Sequence, residues 1–553
     1  MRKLRIASQS FFFSLFVISF ILALYPFAYR FDSEWFLRLN PLTSLVVTVA
    51  SRSMVPVLLI FGIAAVLVTI LLGRVFCGFV CPLGAMLDFS DAFLFDKSRS
   101  EKRRPPLFAQ RLKYVLLVIV LLAAIFGASF PLFMDPLSLL TRIFTILAYP
   151  FVKIVGADAL VALRPMLVKM GFENSSTAAV GVPFFYGIAT TIVLALGIFA
   201  GGFWDRRFWC NYICPSGALF GLISRWSLLN RGVNKDACGE CGRCRRACPT
   251  RAIDEKKFER TNSAECIRCG VCTSLKDDCS AFRLGAPGAF EVRGADIARR
   301  NILSGALAGL ALVPALRADA LLKHDYSGRL IRPPGAVPEK LLSGRCIACG
   351  ECMKACPTNA IQPCTFSDGF SRLYTPKIVP RIGGCEEKCY LCGHVCPTGA
   401  LRKLTYEEKR FAKIGTAVIN QHRCVAWAQN RECVVCDEIC PYNAIETKVL
   451  PTTKGLAKVP VLYEELCMGC GMCEQQCPVF DLSAIIVYKF GENRRETGPY
   501  LNEFQKKTII ERRKKSDAAD LGKALGGELP SGATAESDTA KAARAPLPPG
   551  FVQ

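Results

Sequence analysis

Cys238-Gly239-Glu240-Cys241-Gly242-Arg243-Cys244-Arg245-Arg246-Ala247-Cys248-Pro249 carries three cysteines at intervals of three, a fourth four positions on, and a proline directly after it. That is the bacterial ferredoxin spacing, in which thiolates hold a 4Fe-4S cluster. It recurs unchanged at Cys346, Cys349, Cys352, Cys356 and at Cys467, Cys470, Cys473, Cys477, again with Pro357 and Pro478 behind. Three further sets have one altered gap each: Cys266, Cys269, Cys272, Cys279; Cys385, Cys389, Cys392, Cys396; and Cys424, Cys433, Cys436, Cys440. The six sets use 24 of the chain's 29 cysteines and imply six 4Fe-4S clusters.

In a two-cluster module the first three thiolates wrap one cluster, and the fourth cysteine crosses to the other. The expected ligand groups are therefore Cys238, Cys241, Cys244 with Cys279; Cys248 with Cys266, Cys269, Cys272; Cys346, Cys349, Cys352 with Cys396; Cys356 with Cys385, Cys389, Cys392; Cys424, Cys433, Cys436 with Cys477; and Cys440 with Cys467, Cys470, Cys473. A disulfide framework suits short secreted chains rather than one of 553 residues. Zinc has no use for a third cysteine at the same interval or for the proline. Cys364 joins no set and reads as a structural thiol.

Hydrophobic residues make up 51% of the chain and are segregated toward its first 203 residues. Apolar runs at about 11–29, 55–73, 114–133 and 183–202 each approach the ~20 residues that cross a bilayer as a helix. Lys and Arg crowd the segment from Arg74 to Lys113 and the N-terminus, and are sparser between Arg30 and Met54 and between Met134 and Val182. By the positive-inside rule both ends of the four-helix region, and the first cluster module, face the cytoplasm. The formal charge of +23 is read as topology and contact with the lipid bilayer, not as a nucleic-acid surface. A shorter apolar run, Ile302 to Leu316, follows Arg299-Arg300 and reads as a twin-arginine-like export signal or a fifth anchoring helix, with a candidate cleavage site at Ala318-Asp319-Ala320.

The expected organisation is an α-helical membrane domain at 1–230, built as two parallel-repeat hairpins. Small α+β ferredoxin-like modules follow: a cytoplasmic two-cluster module at 231–297 and, after the signal or anchor helix at 298–320, an exported four-cluster domain at 330–490. A disordered tail at 512–553 ends the chain. The repeat is explicit. Arg74-Val75-Phe76-Cys77-Gly78-Phe79-Val80-Cys81-Pro82-Leu83-Gly84-Ala85 matches Arg207-Phe208-Trp209-Cys210-Asn211-Tyr212-Ile213-Cys214-Pro215-Ser216-Gly217-Ala218, and Asn40-Pro41-Leu42 echoes Asp135-Pro136-Leu137. Cys-x3-Cys places two sulfurs one helical turn apart. Cys77, Cys81, Cys210 and Cys214 could thus hold a further metal or redox site, or simply pack. The three histidines, His324, His394 and His422, lie outside the four helices, which excludes His-ligated membrane haem; no Cys-x2-Cys-His exists for a c-type haem.

With these motifs placed, the chain resembles a fusion of the NapH-type membrane ferredoxin and the NapG/MauM-type exported polyferredoxin. The resemblance implies quinol dehydrogenase activity at the bacterial inner membrane, with quinone as substrate and a periplasmic reductase or cytochrome as acceptor. Membrane proteins of the NosR and CcoG groups share the cysteine repeat, which keeps enzyme maturation and copper reduction open as alternatives. Quinol oxidation releases protons and needs a base at the interface. Asp135, with Arg142 nearby, is the expected quinol site at the outer helix ends, against the ordinary reading of Asp before Pro as a helix cap.

Overall fold

A computed structural model of the chain describes residues 2–500 except 26, 31, 33, 94–106, 170–180, 235–237, 239–240, 255–256, 276–278, 286–291, 294–301, 312–327 and 453. Arg299, Arg300, Ala318–Ala320 and the tail at 512–553 lie outside the described residues. The N-terminal half is a helix bundle. Its helices are α1 (Arg2–Leu22), α2 (Pro41–Ser51), α3 (Pro56–Leu72), α4 (Pro82–Phe93), α5 (Leu112–Ile125), α6 (Pro136–Ile143), α7 (Tyr149–Lys169), α8 (Ile188–Ala200) and α9 (Pro215–Ile223). A tenth, α10 (Ile302–Ala311), lies with Gly305 and Gly309 close against Val115, Val118, Ile119 and Leu122 of α5, where the missing side chains permit the approach.

The four apolar runs appear as α1, α3, α5 and α8, but the bundle holds more than four helices. Among the described residues only Lys3–Leu22 and Pro136–Met166 are long and apolar enough, by length and composition, to cross a membrane; Pro56–Leu72 and Ile188–Phe203 are shorter apolar helices. Between Met134 and Val182, where the sequence shows no long apolar run, the chain forms α6 and α7.

Four of the shorter helices begin at a proline after a capping residue, the position where proline's missing N–H costs nothing. Asn40 caps α2 through the Leu42 N–H (3.0 Å), Asp135 caps α6 through the Ser138 N–H (3.2 Å), and Cys214 Sγ caps α9 through the Gly217 N–H (3.2 Å). α4 starts likewise at Pro82 after Cys81. The caps of α2 and α6 meet inside the bundle: Asn40 donates to Asp135, and Ser216, next to the α9 cap, donates to Asp135 at 2.6 Å.

The cysteine-bearing segments are small, irregular modules braced by two-stranded sheets. Leu229–Val233 pairs antiparallel with Ser280–Leu284 around the first module (Leu229 opposite Leu284), Ile361–Pro363 with Pro376–Ile378 in the second, and Thr416–Ile419 with Ile485–Tyr488 around the third, which also carries the hairpin Ile445–Thr452 and Gly455–Leu462. The modules dock at opposite ends of the bundle. At one end, the first module reaches Arg74 through the Ala264 carbonyl (2.5 Å), and the backbones of Gly78 and Ile267 approach so closely that a Cβ on Gly78 would lie 2.5 Å from the Ile267 oxygen. At the other, Lys354 donates to the Phe20 carbonyl at the end of α1 (2.8 Å), Ser129 to the Ser343 and Cys346 carbonyls (both 2.8 Å), and Asn359 to Phe184 (2.8 Å). α1 runs from one end to the other: Arg5 bonds Gly78 and Asp88, whereas Phe20 lies under Lys354.

Candidate iron-sulfur centres

Each cluster loop is shaped by its own sequence. The residue after the second cysteine is glycine in four sets, and in three of them it turns the chain into a short helix carrying the third cysteine: Gly242 before Arg243–Ala247, Gly350 before Glu351–Lys354, Gly471 before Met472–Gln476. Gly350 has φ +87°, a left-handed conformation costly for residues with a side chain. The cysteine before the proline then accepts a backbone N–H from beyond the turn. Ala252 N–H reaches Cys248 Sγ at 3.4 Å, Ala444 N–H reaches Cys440 Sγ at 3.3 Å, and Leu401 N–H reaches Cys396 Sγ at 3.4 Å. Such donors to sulfur set the potential of an iron-sulfur centre.

The side chains gather in crossed groups. Cys279 lies against Cys238 and Cys244. Cys248 lies with Cys266, Cys269 and Cys272. Cys396 is close to Cys346, Cys349 and Cys352, and Cys356 to Cys385, Cys389 and Cys392. Cys477 stands beside Cys424 and Cys433, with Cys436 next to them, and Cys440 beside Cys467, Cys470 and Cys473. Cys241 is exposed at the rim of its module. Among the described residues no three His, Cys, Asp or Glu are arranged to hold a single metal ion.

Burial and neighbouring thiols push the Cys269 thiol up to about 11, and burial with neighbouring Cys424 and Cys433 pushes Cys436 to about 12. Four thiolates cannot share such a pocket without a positive partner, and bound iron supplies one. The donor set therefore fits the group that the spacing implies.

The groups also neighbour one another in order. Cys352 is close to Cys392, Cys470 to Cys385, and Cys473 to Cys436. The link between the second and third modules is a backbone bond, Cys385 N–H to the Cys470 carbonyl at 2.7 Å. Arg207 lies against both Cys269 of the first module and Cys210 of the bundle.

The repeated bundle motif has a shape the spacing did not suggest. Phe76–Val80 and Trp209–Ile213 are single π-helical turns, and Cys81 and Cys214 lie just past them in extended backbone. Each pair thus straddles a turn end instead of stacking on one α-helical face. π turns are rare and concentrate at functional sites. Asp135 and Arg142 do not form one pocket, and Asp135 sits inside the bundle, not at its outer ends. Asp135 is 1% exposed, capping α6 among Asn40, Ser138 and Ser216. Arg142, equally buried, donates to Phe133 and Ala348 carbonyls and lies over the Tyr374 ring at 4.5 Å. Cys364 is buried beside Arg332, whose guanidinium donates to it at 3.5 Å.

Sequence comparison agrees with this geometry. A family described as "4Fe-4S binding domain" matches residues 54–100, 186–234 and 390–414, and so finds both halves of the bundle repeat. A second family of the same description matches 342–362 and 460–480, and a "4Fe-4S dicluster domain" matches 231–275. The methylamine utilization ferredoxin-type protein MauM of Methylophilus methylotrophus is 33% identical over 178 residues, 31% of this chain and 76% of that protein. The chain belongs to the MauM/NapG ferredoxin-type family. The ferredoxin-type protein NapG of Escherichia coli is 35% identical over 179 residues, covering 31% of this chain and 76% of its own length. MauM of Paracoccus denitrificans is 33% identical over 192 residues, 33% of this chain and 83% of its own. This MauM/NapG-type chain is accordingly a 4Fe-4S electron-transfer protein, with about two thirds of its length outside those matches.

Proposed function

We propose that the chain is a membrane-bound relay that takes electrons from quinol and delivers them through six 4Fe-4S clusters to a periplasmic reductase or cytochrome. The observation that carries this reading is the order of the cysteine groups, which stand at both ends of the helix bundle and continue through the third module. A 4Fe-4S cluster bound at each group supplies a one-electron carrier. The chain's own residues hold these carriers in sequence, bury them and donate N–H bonds to their sulfur ligands.

In this reading the front half is the NapH-like membrane partner, fused to an exported NapG-like domain. Exposed apolar side chains support lipid contact: Ile60, Ile63 and Leu67 on α3, Val193 and Leu196 on α8. The 21 residues of α1 extend about 31 Å, close to the ~30 Å hydrocarbon core. The Lys and Arg bias puts the N-terminus and the first module in the cytoplasm, and residues 330–490 in the periplasm by the twin-arginine route.

Quinol must also lose protons. Asp135 is sealed in the bundle, so Asp91 is the better acceptor. It lies on α4, half-buried, taking the Arg207 backbone N–H at 2.8 Å, with Phe89 and Phe93 exposed on the same helix. Burial, and then the charge of Asp88, lift its pKa to about 6, suited to accepting a proton near neutral pH.

The test is anaerobic reduction of the purified chain in detergent by a quinol analogue, followed by cluster bleaching. Quinol dehydrogenation predicts turnover-fast bleaching, slowed roughly 10²- to 10⁴-fold by Asp91→Asn with iron content unchanged. Clusters that no quinol reduces would transfer the chain to the maturation or copper-reduction class. A variant as fast as the parent would remove Asp91 from the site.

A further inference from the structure

The relay has a gap. α1 alone separates the Arg5 end, beside Cys269, from the Phe20 end, under Lys354, by 15 residues or about 22 Å. Electron tunnelling falls off exponentially with distance, and the six groups leave the interior of the bundle without a carrier. The four cysteines of the repeat lie there. Cys81 and Cys214 belong to one continuous core with Cys349 of the second module, Cys210 packs against that core, and Cys77 is within Coulombic reach of Cys81, Cys210 and Cys214.

Their surroundings are built for negative charge. The two motifs exchange arginines. Arg207 reaches into the first half, donating to the Cys77 and Gly84 carbonyls (2.8 and 3.2 Å), and Arg74 reaches into the second, where its Nη2 would stand 3.1 Å from a Cβ on Gly217. Arg74 also lies beside Cys77 and Cys214. Arg74 is 2% exposed and its Nε has no acceptor; Trp209 Nε1, in the same core, has none either. The N-termini of α4 and α9 start at Cys81 and Cys214, so their backbone N–H groups face the same place. Glu265 answers two buried cations, Arg74 and Lys113, and a buried positive charge left over is costly. Neutral thiols would leave both N–H donors unanswered; sulfur ligands of a cluster would accept from them.

We propose that Cys77, Cys81, Cys210 and Cys214 together ligate a seventh iron-sulfur cluster inside the helix bundle, the link between the two ends of the relay. Each half supplies two thiolates, so the repeat is needed in duplicate to make one site. A transfer step here moves one electron in from a reduced neighbour and one out to an oxidised neighbour; no bond is made or broken and no proton moves. Arg207, against Cys269 on one side and Cys210 on the other, marks the entry, and Cys349 the exit.

This deepens the relay reading, yet its test does not require quinol. The full chain, purified anaerobically, is compared with the Cys77→Ser/Cys210→Ser double variant for iron, acid-labile sulfide and the EPR spectrum after dithionite reduction. The expected result is loss of one cluster's iron, roughly one seventh of the total for a four-iron site, with one EPR component gone and the rest retained. Unchanged iron and spectrum overturn the proposal. If the variant fails to fold, electron cryomicroscopy of the unaltered holoprotein decides: metal density bridging the four sulfurs supports the seventh cluster, and four bare thiols refute it. Seven clusters that no quinol reduces would leave this site standing and sink only the quinol reading.

Discussion

Glu265 shows how a single side chain locks the first module to the bundle. Its carboxylate takes Arg74 at 3.2 Å, the Lys113 ammonium, and the Tyr114 hydroxyl at 3.0 Å, all buried. Glu265→Gln would strand two buried cations, a change that typically costs about 3–5 kcal/mol. The expected outcome is a chain whose first module bleaches at lower temperature than the other two; equal melting of all three would mean that the pair is solvated and weak. Asp91 gives a pH signature. Its native pKa, near 6, lies above the ordinary carboxylate value of 3.8, so the folded chain binds more protons between those limits. Stability contributed by the protonated form is present at low pH and lost as pH rises from about 4 to 6; Asp91→Asn should flatten melting temperature across that window. The cluster cysteines were legible from sequence because ligand spacing is local and chemical. Glu265 was not, because its partners Arg74 and Lys113 lie 191 and 152 positions away and no local pattern announces them.

At the scale of elements, the long apolar runs announced α1, α3, α5 and α8, whereas α2 and α6, at 11 and 8 residues, are too short to register as spans. What marked them was Asn-Pro and Asp-Pro, legible as helix starts only once the repeat is noticed. The π turns had no signature, since Cys-x3-Cys fits an α-helix equally well. Close approach between elements is the other feature hidden in sequence. Gly73 ends α3 with φ +76°, and a Cβ there would fall 2.8–2.9 Å from the Arg268 guanidinium, which bonds the Leu229 carbonyl, Ser227 and Asn230. Gly73→Ala therefore meets backbone strain and a clash together, at about 1–2 kcal/mol for the backbone alone. The expected result is faster limited proteolysis near residue 229, with the second and third modules untouched. Parental resistance would show that Arg268 swings aside freely.

Over the whole molecule, connectivity in sequence differs from connectivity for electrons. The third module's ligand groups come in chain order as Cys424, Cys433, Cys436, Cys477 and then Cys440, Cys467, Cys470, Cys473, yet the second of these lies nearer the second module, through Cys470 and Cys385. The path through the second and third modules thus runs from the Cys346 group to the Cys356 group, across to the Cys440 group, and last to the Cys424 group. The terminal group is the one to face an acceptor: Cys424, Cys433 and Cys477 line a shallow apolar recess with Val425, Val479 and Pro478, and Phe480 nearby is 89% exposed. This order makes the Cys356 group an obligatory bridge. Cys389→Ser removes one of its ligands at a half-buried position, leaving the Cys346 group and the third module with full ligand sets. Rapid-freeze EPR after mixing with a low-potential donor to the first module should show the Cys346 group reduced at the parental rate, and the Cys440 and Cys424 groups at least roughly tenfold more slowly, because the bypass lengthens a distance on which tunnelling depends exponentially. Parental kinetics in the third module, with the Cys356 group's iron verified absent, would mean that electrons reach the third module by another route and that the linear order is wrong.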